Sequence, residues 1–471
     1  MLTILVCTKF IQGELNPFDA AALECALELA ESAEGLKRGT QVVVLGMGPT
    51  AWVEPMRRVT RLARNGNLRA ILLSDPDFAG SDTLATSRIL SAAIRKIAVK
   101  TPIGWVFCGR QSIDGDTAQV GPELAALLGF GLVTNCMELP RIFDETVQIP
   151  TRLGPETAVS PAVLTLERVR ELRFPSLRSK PGEVEIWDRE KLGIDAKLCG
   201  TVGSPTRVLQ TFTAERGRRK CRWINREELF PLIEELRKRP KAGLEIPESA
   251  VRLPRIYTVG HEVEPQARAI AEEVVFVEKS SAQEIAEAMK DADVVLWNAD
   301  LWGRRTAPQT AALLGTGLCA DCTALETDGT TLFMYRPAHS GDILAKIECR
   351  TRPQMATVRT VSSSADVIVS GGRGVKGKWA EIQKLAEKLH AEPAASRGLV
   401  DAGDAPYSFQ VGLTGRNVSP KIYLAIGISG AVQHTCAVEN ADVIIAVNPD
   451  RNARIFEYAD YGILDEFEGW V

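Results

Sequence analysis

At 471 residues the chain is too long for one hydrophobic core, and about three domains are expected. Its apolar (45%) and charged (25%) fractions are those of an ordinary globular protein. A net charge of -4 and a pI near 5.9 exclude the basic excess of a nucleic-acid or membrane-surface binder and favour a small-molecule partner.

The first apolar run, through Cys7, is too short for a signal peptide, and no later run approaches a membrane span, so a cytoplasmic location is expected. Strand and helix signals then alternate: a strand to Cys7, a helix over 20–30 with Asp19 as its expected N-cap, strands at 41–45 and 70–73, a helix over 84–98 and a strand at 105–108. Continuous apolar strands separated by amphipathic helices predict a parallel, doubly wound sheet, with any ligand at the carboxyl ends of its strands. Residues 181–252 read as irregular and charged, with a basic cluster from Arg216 to Arg222 expected to be a solvated linker face, then a helix over 226–238 and Pro240 and Pro247.

A second αβ unit follows over 253–352, with strands at 274–277 and 294–297 and a helix opened by the capping box Ser281-x-x-Glu284. Residues 124–139 align with 310–325 at a constant offset of 186, nine of sixteen positions being identical, which points to a duplicated domain. The third unit, 353–471, has strands at 366–370, 422–428 and 442–447 and a helix over 379–389.

Ten cysteines lie without repeating spacing, and the four histidines, His261, His339, His390 and His434, form no cluster in sequence. The one C-x-x-C, Cys319 to Cys322, follows a helix instead of opening one, so zinc, iron-sulfur and thioredoxin chemistry are not expected.

Two sets of loops carry chemistry. In the third unit, Gly371-Gly372-Arg373-Gly374, Ser396-Arg397, Gly412-Leu413-Thr414-Gly415 and Gly427-Ile428-Ser429-Gly430-Ala431-Val432-Gln433-His434 follow apolar strands, where glycines let backbone amides approach a phosphate. These motifs resemble the flavin-binding domain of the electron transfer flavoprotein α subunit. The resemblance implies an FAD held by Arg373, Ser396, Arg397, Gln410, Thr414, Gly427, Ser429, Gly430, Gln433, His434, Asn448, Asp450 and Asp465. Arg397 would lie over the ring, Thr414 would bond N5, His434 would sit near O2, and Arg373, Asn448 and an acid within Asp460–Asp465 would hold the AMP half. Fixed cations near N1 and O2 favour the first one-electron reduction. Leu413 departs from the family, which has Gln there.

In the first unit, Cys108-Gly109-Arg110-Gln111-Ser112-Ile113-Asp114-Gly115-Asp116-Thr117-Ala118-Gln119-Val120-Gly121-Pro122 resembles the β-subunit nucleotide loop of the same family, with Thr117 and Gln119 expected to open a helix. Asn16-Pro17-Phe18-Asp19 and Asp82-Thr83-Leu84-Ala85-Thr86-Ser87 are similar to further β-subunit segments. The resemblance implies a natural fusion, β first and α second, with residues 1–180 as the β-like domain. Two adenine-nucleotide α-hydrolase-like domains would precede a Rossmann-like FAD domain. The α N-terminal domain is shortened, lacking its usual first strand-helix pair.

The Asp114–Pro122 pattern is that of the electron-bifurcating and nitrogen-fixation-associated branch. It implies a second FAD, with NADH as reductant, held by Cys7, Asn16, Asp82, Thr83, Thr86, Gly109, Asp116, Thr117, Ala118, Gln119 and Val120. AMP in that site, in a one-FAD carrier, is the alternative, and a nucleotide-binding protein without electron transfer is a third reading. Leu177 resembles the leucine that docks on partners. Those partners would be an acyl-CoA or other flavin dehydrogenase, a quinone oxidoreductase, or a ferredoxin or flavodoxin, with the fused chain a monomer or homodimer. No catalytic acid, base or nucleophile is expected.

Overall fold

The structure is a computed structural model describing residues 2–64, 68–143, 145–213, 219–242, 246, 248–278, 280–338, 343–361, 363 and 365–470. Arg216, Arg218, Pro247 and His339 lie outside them. The chain forms two compact units, one of residues 1–211, 249–339 and 345–358, the other of 212–248, 340–344 and 359–471. Among the described residues no helix is long and apolar enough to cross a membrane.

The first unit opens with β1 (Thr3–Thr8), buried at all six positions. Helix α1 (Pro17–Glu31), β2 (Gln41–Met47), β3 (Leu68–Leu73), α2 (Thr83–Ala98), β4 (Ile103–Gly109), α3 (Val120–Leu128) and β5 (Gly131–Cys136) follow. An antiparallel pair, β6 (Thr146–Thr151) and β7 (Gly154–Val159), then β8 (Ala162–Leu166) and β9 (Val184–Trp187) complete the sheet. Its order is β7-β6-β5-β8-β4-β1-β2-β3-β9, parallel from β5 to β9. One face packs on Leu23 and Leu27 of α1, the other on Ile89 and Ile94 of α2 and Leu124 of α3, which is why the parallel strands are apolar on both sides. Chain order reverses between β1 and β4, and the crevice outside their carboxyl ends is where a doubly wound sheet receives ligands.

Helix α1 begins earlier than its hydrophobic pattern indicates. Asn16 occupies the cap position and Pro17 presets the first turn, while Asp19 lies inside the helix and turns its carboxylate to the Lys9 amide at 2.8 Å.

The middle of the chain belongs to the same unit. It contains β10 (Leu253–Val259), β11 (Ala271–Val277), α4 (Ala282–Ala288), β12 (Val294–Asn298), α5 (Leu301–Leu314), β13 (Leu318–Cys322), β14 (Leu332–Ala338) and β15 (Gln354–Val358). The parallel sheet runs β11-β10-β12-β15-β13, and the Ser281/Glu284 capping box is formed. Cys319 and Cys322 are buried in β13, where burial holds the Cys322 thiol well above its ordinary pKa.

The duplication is visible in three dimensions. Helices α3 and α5 end on left-handed Gly129 and Gly315, and the following strands contain left-handed Asn135 and Asp321, each giving its amide to a threonine hydroxyl, Thr165 or Thr357. Across the helix pair, Gln119 Nε2 donates to the Leu318 carbonyl at 3.0 Å, and Arg305 donates to the Leu132 carbonyl at 2.8 Å. Donor and acceptor of one bond stand 186 positions from donor and acceptor of the other. Such reciprocity is the mark of an approximate two-fold relation between repeats.

The second unit carries β16 (Val367–Gly371), α6 (Trp379–Lys388), β17 (Glu392–Ser396), β18 (Gln410–Val411), β19 (Ile422–Ile426), α7 (Val432–Thr435), β20 (Val443–Val447) and β21 (Tyr461–Ile463). Residues 212–248, expected as an irregular linker apart from a helix over 226–238, contribute a strand as well as that helix here. Arg222–Trp223 pairs in parallel with β21, and a helix over Leu229–Arg237 buries Leu229, Ile233 and Leu236, an i, i+4, i+7 stripe. Arg219 is no solvated linker residue: it pairs with Asp460 at 2.5 Å and donates to the carbonyls of Glu439, Ala441 and Asp442. The all-parallel order is Arg222–Trp223, β21, β20, β19, β16, β17, β18, with the switch between β19 and β16.

Candidate nucleotide-binding sites

A cavity of about 780 Å³ opens at the β1/β4 switch. Nine of the eleven residues expected for a second nucleotide line it: Cys7, Asp82, Thr83, Thr86, Gly109, Thr117, Ala118, Gln119 and Val120. Asn16 and Asp116 stand behind the wall. Asn16 donates to the Gln111 carbonyl at 2.9 Å and accepts the Ile113 amide at 3.3 Å, and Asp116 accepts from the Gln111 amide group at 2.7 Å. Helix α3 starts at Val120 with Gln119 at its cap position, so Thr117 precedes the helix instead of opening it. The loop between is strained, with Asp116 and Ala118 at φ 52° and 56°. Left-handed residues in such loops turn successive amides to one side, an arrangement suited to anions.

Not all expected ligands have free valences. Asp82 caps α2 through the Ala85 amide and accepts both the amide and the hydroxyl of Thr206. Gly109 abuts Asp19: a Cβ there would stand 2.3 Å from the carboxylate oxygen. Burial pushes the Asp19 acid up to about 7 against hydrogen bonds from Lys9, Asn16 and Gly109.

Sequence reasoning missed two residues here. Lys9 lines the cavity and pairs with Asp114 at 2.6 Å, latching the end of β1 to the nucleotide loop. Arg336, on β14 of the middle repeat, is 6% exposed and donates to the Gly115 carbonyl at 2.9 Å, and among the described residues no carboxylate pairs with it. Its separation of more than 200 positions from the loop left no local signal. Replacing it (Arg336→Met) removes a charged hydrogen bond to the loop, an interaction of about 1.5–3 kcal/mol. AMP affinity at this cavity is expected to fall about tenfold or more by calorimetry, with the flavin content of the second unit unchanged.

In the second unit the expected residues follow the carboxyl edge of the sheet in strand order: Asp465 after β21, Asn448 and Asp450 after β20, Gly427, Ser429 and Gly430 after β19, Arg373 after β16, Ser396 and Arg397 at β17, and Thr414 after β18. At the switch the loops after β16 and β19 touch. Gly372 donates to the Ile426 carbonyl and Gly374 to the Gly427 carbonyl, and a Cβ on Gly372 would stand 2.2 Å from the Gly427 oxygen. Asn448 bridges the Ile428 carbonyl and the Asp450 amide, both held within 3.0 Å. Ser429 and Gln433 have exposed side chains, and Arg397 pairs with Asp401. Leu413, the departure from the family pattern, is buried with its amide on the Gln433 carbonyl.

Both ring nitrogens of His434 face partners within the protein. It is 6% exposed, Nδ1 faces the Val411 carbonyl at 3.1 Å and Nε2 faces the Tyr423 hydroxyl at 2.8 Å. The carbonyl can only accept, so Nδ1 carries the proton and Nε2 accepts from tyrosine. Burial lowers the ring's pKa to about 4, so it is neutral at physiological pH. Nearby, Gln410 donates to Thr414 Oγ1 at 2.8 Å while its own buried Oε1 has no partner among the described residues, an acceptor available to a ligand N–H. A second cavity, about 420 Å³, continues past Asp465 between Trp223, Arg226 and Arg451.

Leu177 is fully exposed and Phe174 95% exposed, on a loop anchored by Arg173, which pairs with Glu24 at 2.7 Å and Glu31 at 2.5 Å. Glu24 is 5% exposed. Arg173→Met would leave a buried carboxylate without its cation, and a loss of about 3–5 kcal/mol in denaturant unfolding of the first unit is expected.

Glycine loops and left-handed backbone at two sheet switch points define a doubly wound α/β protein. Comparison with known proteins agrees: the profile of the electron transfer flavoprotein domain matches residues 4–192 and 265–390, and that of the electron transfer flavoprotein FAD-binding domain matches 362–439. The chain belongs to the electron transfer flavoprotein family. It is 38% identical to electron transfer flavoprotein subunit alpha of Thermoanaerobacterium thermosaccharolyticum, over 39% of this chain and 71% of that protein. Two Azotobacter vinelandii proteins are also similar. FixB is 38% identical over 36% of this chain and 61% of its own length, and FixA 36% identical over 49% of this chain and 83% of its own length.

Proposed function

We propose that the chain is an electron carrier in which β-subunit-like and shortened α-subunit-like parts are fused, with one FAD on the sheet edge of the second unit and a second FAD in the 780 Å³ cavity of the first. The relatives support the fusion, since both an alpha subunit and a FixA protein match this chain over most of their own lengths. The observation that carries the reading is the gathering of nine expected residues around one cavity. Its volume lies high in the range of about 300–1,000 Å³ for small-molecule sites.

Bound FAD would supply the exchange between two-electron and one-electron transfer. The protein's part is to bind and tune. On the second unit, the Gly372/Gly427 contact holds together the two loops at the switch point, where a phosphate would lie, and Gln410 Oε1 offers an acceptor. Asn448 and Asp465 would take the adenosine half. Seven strands spaced about 4.8 Å give an edge of roughly 29 Å, long enough for an extended dinucleotide. Since His434 is neutral here, positive charge near the ring falls to Arg373 and Arg397.

On the first unit, Lys9 and the 116–120 loop would hold the second pyrophosphate, with NADH as reductant and bifurcation of its electrons as the proposed use. Leu177 and Phe174 would meet a flavin dehydrogenase, a quinone oxidoreductase, or a ferredoxin or flavodoxin, in the cytoplasm. Anaerobic NADH titration tests this: two flavins reducing at separate potentials are expected, and failure of NADH to reduce any flavin would overturn the NADH-linked reading.

A further inference from the structure

We propose that Glu123 is held as the neutral acid and, by donating its proton to Thr83, is a positioning residue for the Thr83–Gln119 edge of the first unit's cavity. The proposal rests on the reading that this cavity takes a nucleotide.

Gln119 reaches the Leu318 carbonyl at 3.0 Å, and a carbonyl only accepts, so the amide nitrogen must face it and Oε1 must face the other way. That oxygen meets Thr83 Oγ1 at 2.9 Å, so the hydroxyl's single proton goes to Gln119. Thr83 Oγ1 also lies 3.0 Å from Glu123 Oε1. With its proton spent, the hydroxyl can only accept there, and the donor must be a protonated Glu123. Ser87 donates to the remaining carboxyl oxygen at 2.7 Å. A directed chain results, from Glu123 through Thr83 and Gln119 to the middle repeat, and both intermediate residues line the cavity.

The surroundings favour the acid form. Glu123 is 1% exposed, and burial raises its pKa to about 8. Among charged groups on the elements packed around α3, Asp82 raises it and Arg88 lowers it, both on α2 or its cap. Arg95 of α2 is bonded to the Leu127 carbonyl, and on α5 Arg304 pairs with Asp321 and Arg305 with Glu156. Strands β5 and β8 bring no charged side chain. When Glu123 loses its proton it becomes acceptor only and draws the Thr83 hydrogen to itself. Gln119 Oε1 then faces a lone pair at 2.9 Å, and the cavity edge opens.

Two measurements decide it. Infrared spectroscopy of the full-length holoprotein at neutral pH is expected to show a protonated-carboxyl carbonyl band that is absent in Glu123→Gln. Calorimetric titration with AMP, on full-length protein whose first-unit cavity has been emptied of its own nucleotide, is expected to lose at least about tenfold in wild-type affinity as pH rises through about 8, while Glu123→Gln, whose amide donates to Thr83 at every pH, gives a flat profile. Thr83→Val, which cuts the chain, is expected to bind weakly at all pH values. An identical pH profile in wild type and Glu123→Gln, or no carboxyl band assignable to Glu123, would overturn the proposal. If AMP binds at no pH, the nucleotide reading of the cavity fails, and the infrared band alone then decides the protonation of Glu123.

Discussion

Gly372→Ala is expected to strip the flavin from the second unit while sparing the nucleotide of the first. The new methyl group would lie 2.2 Å from the Gly427 oxygen, 2.6 Å from its carbonyl carbon and 2.7 Å from the Ile428 Cα. All three are backbone atoms of the opposing loop, so no side chain can swing away. The two loops must part, breaking the Gly372–Ile426 and Gly374–Gly427 bonds that shape the switch point. Overpacking of this kind costs about 1–3 kcal/mol and more where backbone meets backbone. Placed wholly in the cradle, it should weaken FAD about tenfold to hundredfold. Visible absorbance after gel filtration, with circular dichroism to verify folding, reads the result. Full flavin retention in the variant would show that the cradle lies elsewhere.

Gly109→Ala is the complementary test. Its Cβ would sit 2.3 Å from Asp19 Oδ1 and 2.7 Å from the Asp19 amide nitrogen, at the junction of β4 and α1. Asp19 is the group that ties the end of β1 to the end of β4, so its displacement deforms the floor of the cavity. Loss of the nucleotide from the first unit is expected, with the second unit's flavin retained. Two single-methyl changes with opposite selectivity would establish two separate sites, which neither could do alone.

The Asp19 pKa carries a stability consequence. A carboxyl at about 7 in the folded state and near 3.8 unfolded keeps its proton longer when folded. Its contribution is therefore most favourable at low pH and is lost as pH rises from about 4 to about 7. Asp19→Asn should flatten that part of the pH dependence of denaturant unfolding.

Much of this was legible in the chain. Strands buried on both faces announce themselves as continuous apolar runs, so β1, β2 and β4 could be located without structure. Glycines after strands marked both switch points. The 186-residue repeat was readable because helix caps and strand starts obey local rules, and the reciprocal Gln119 and Arg305 bonds express it in space. What was hidden depended on distant partners. The stretch before the 226–238 helix looked like linker because two-residue Arg222–Trp223 gains its strand character only by pairing with β21. Asp19 had the identity of a cap, but the helix starts at Pro17 and the carboxylate serves β1 instead. His434 had a binding motif's sequence around it, yet Tyr423, eleven positions away, occupies its Nε2. Arg336 and Glu123 act through contacts with other elements, and their own neighbourhoods carry no mark of it.

The central claim is that each of the two sites holds a flavin. Denaturing the purified chain and quantifying released cofactors by chromatography tests it most directly. Two FAD per chain and no AMP is the predicted result, and one FAD accompanied by one AMP would contradict it.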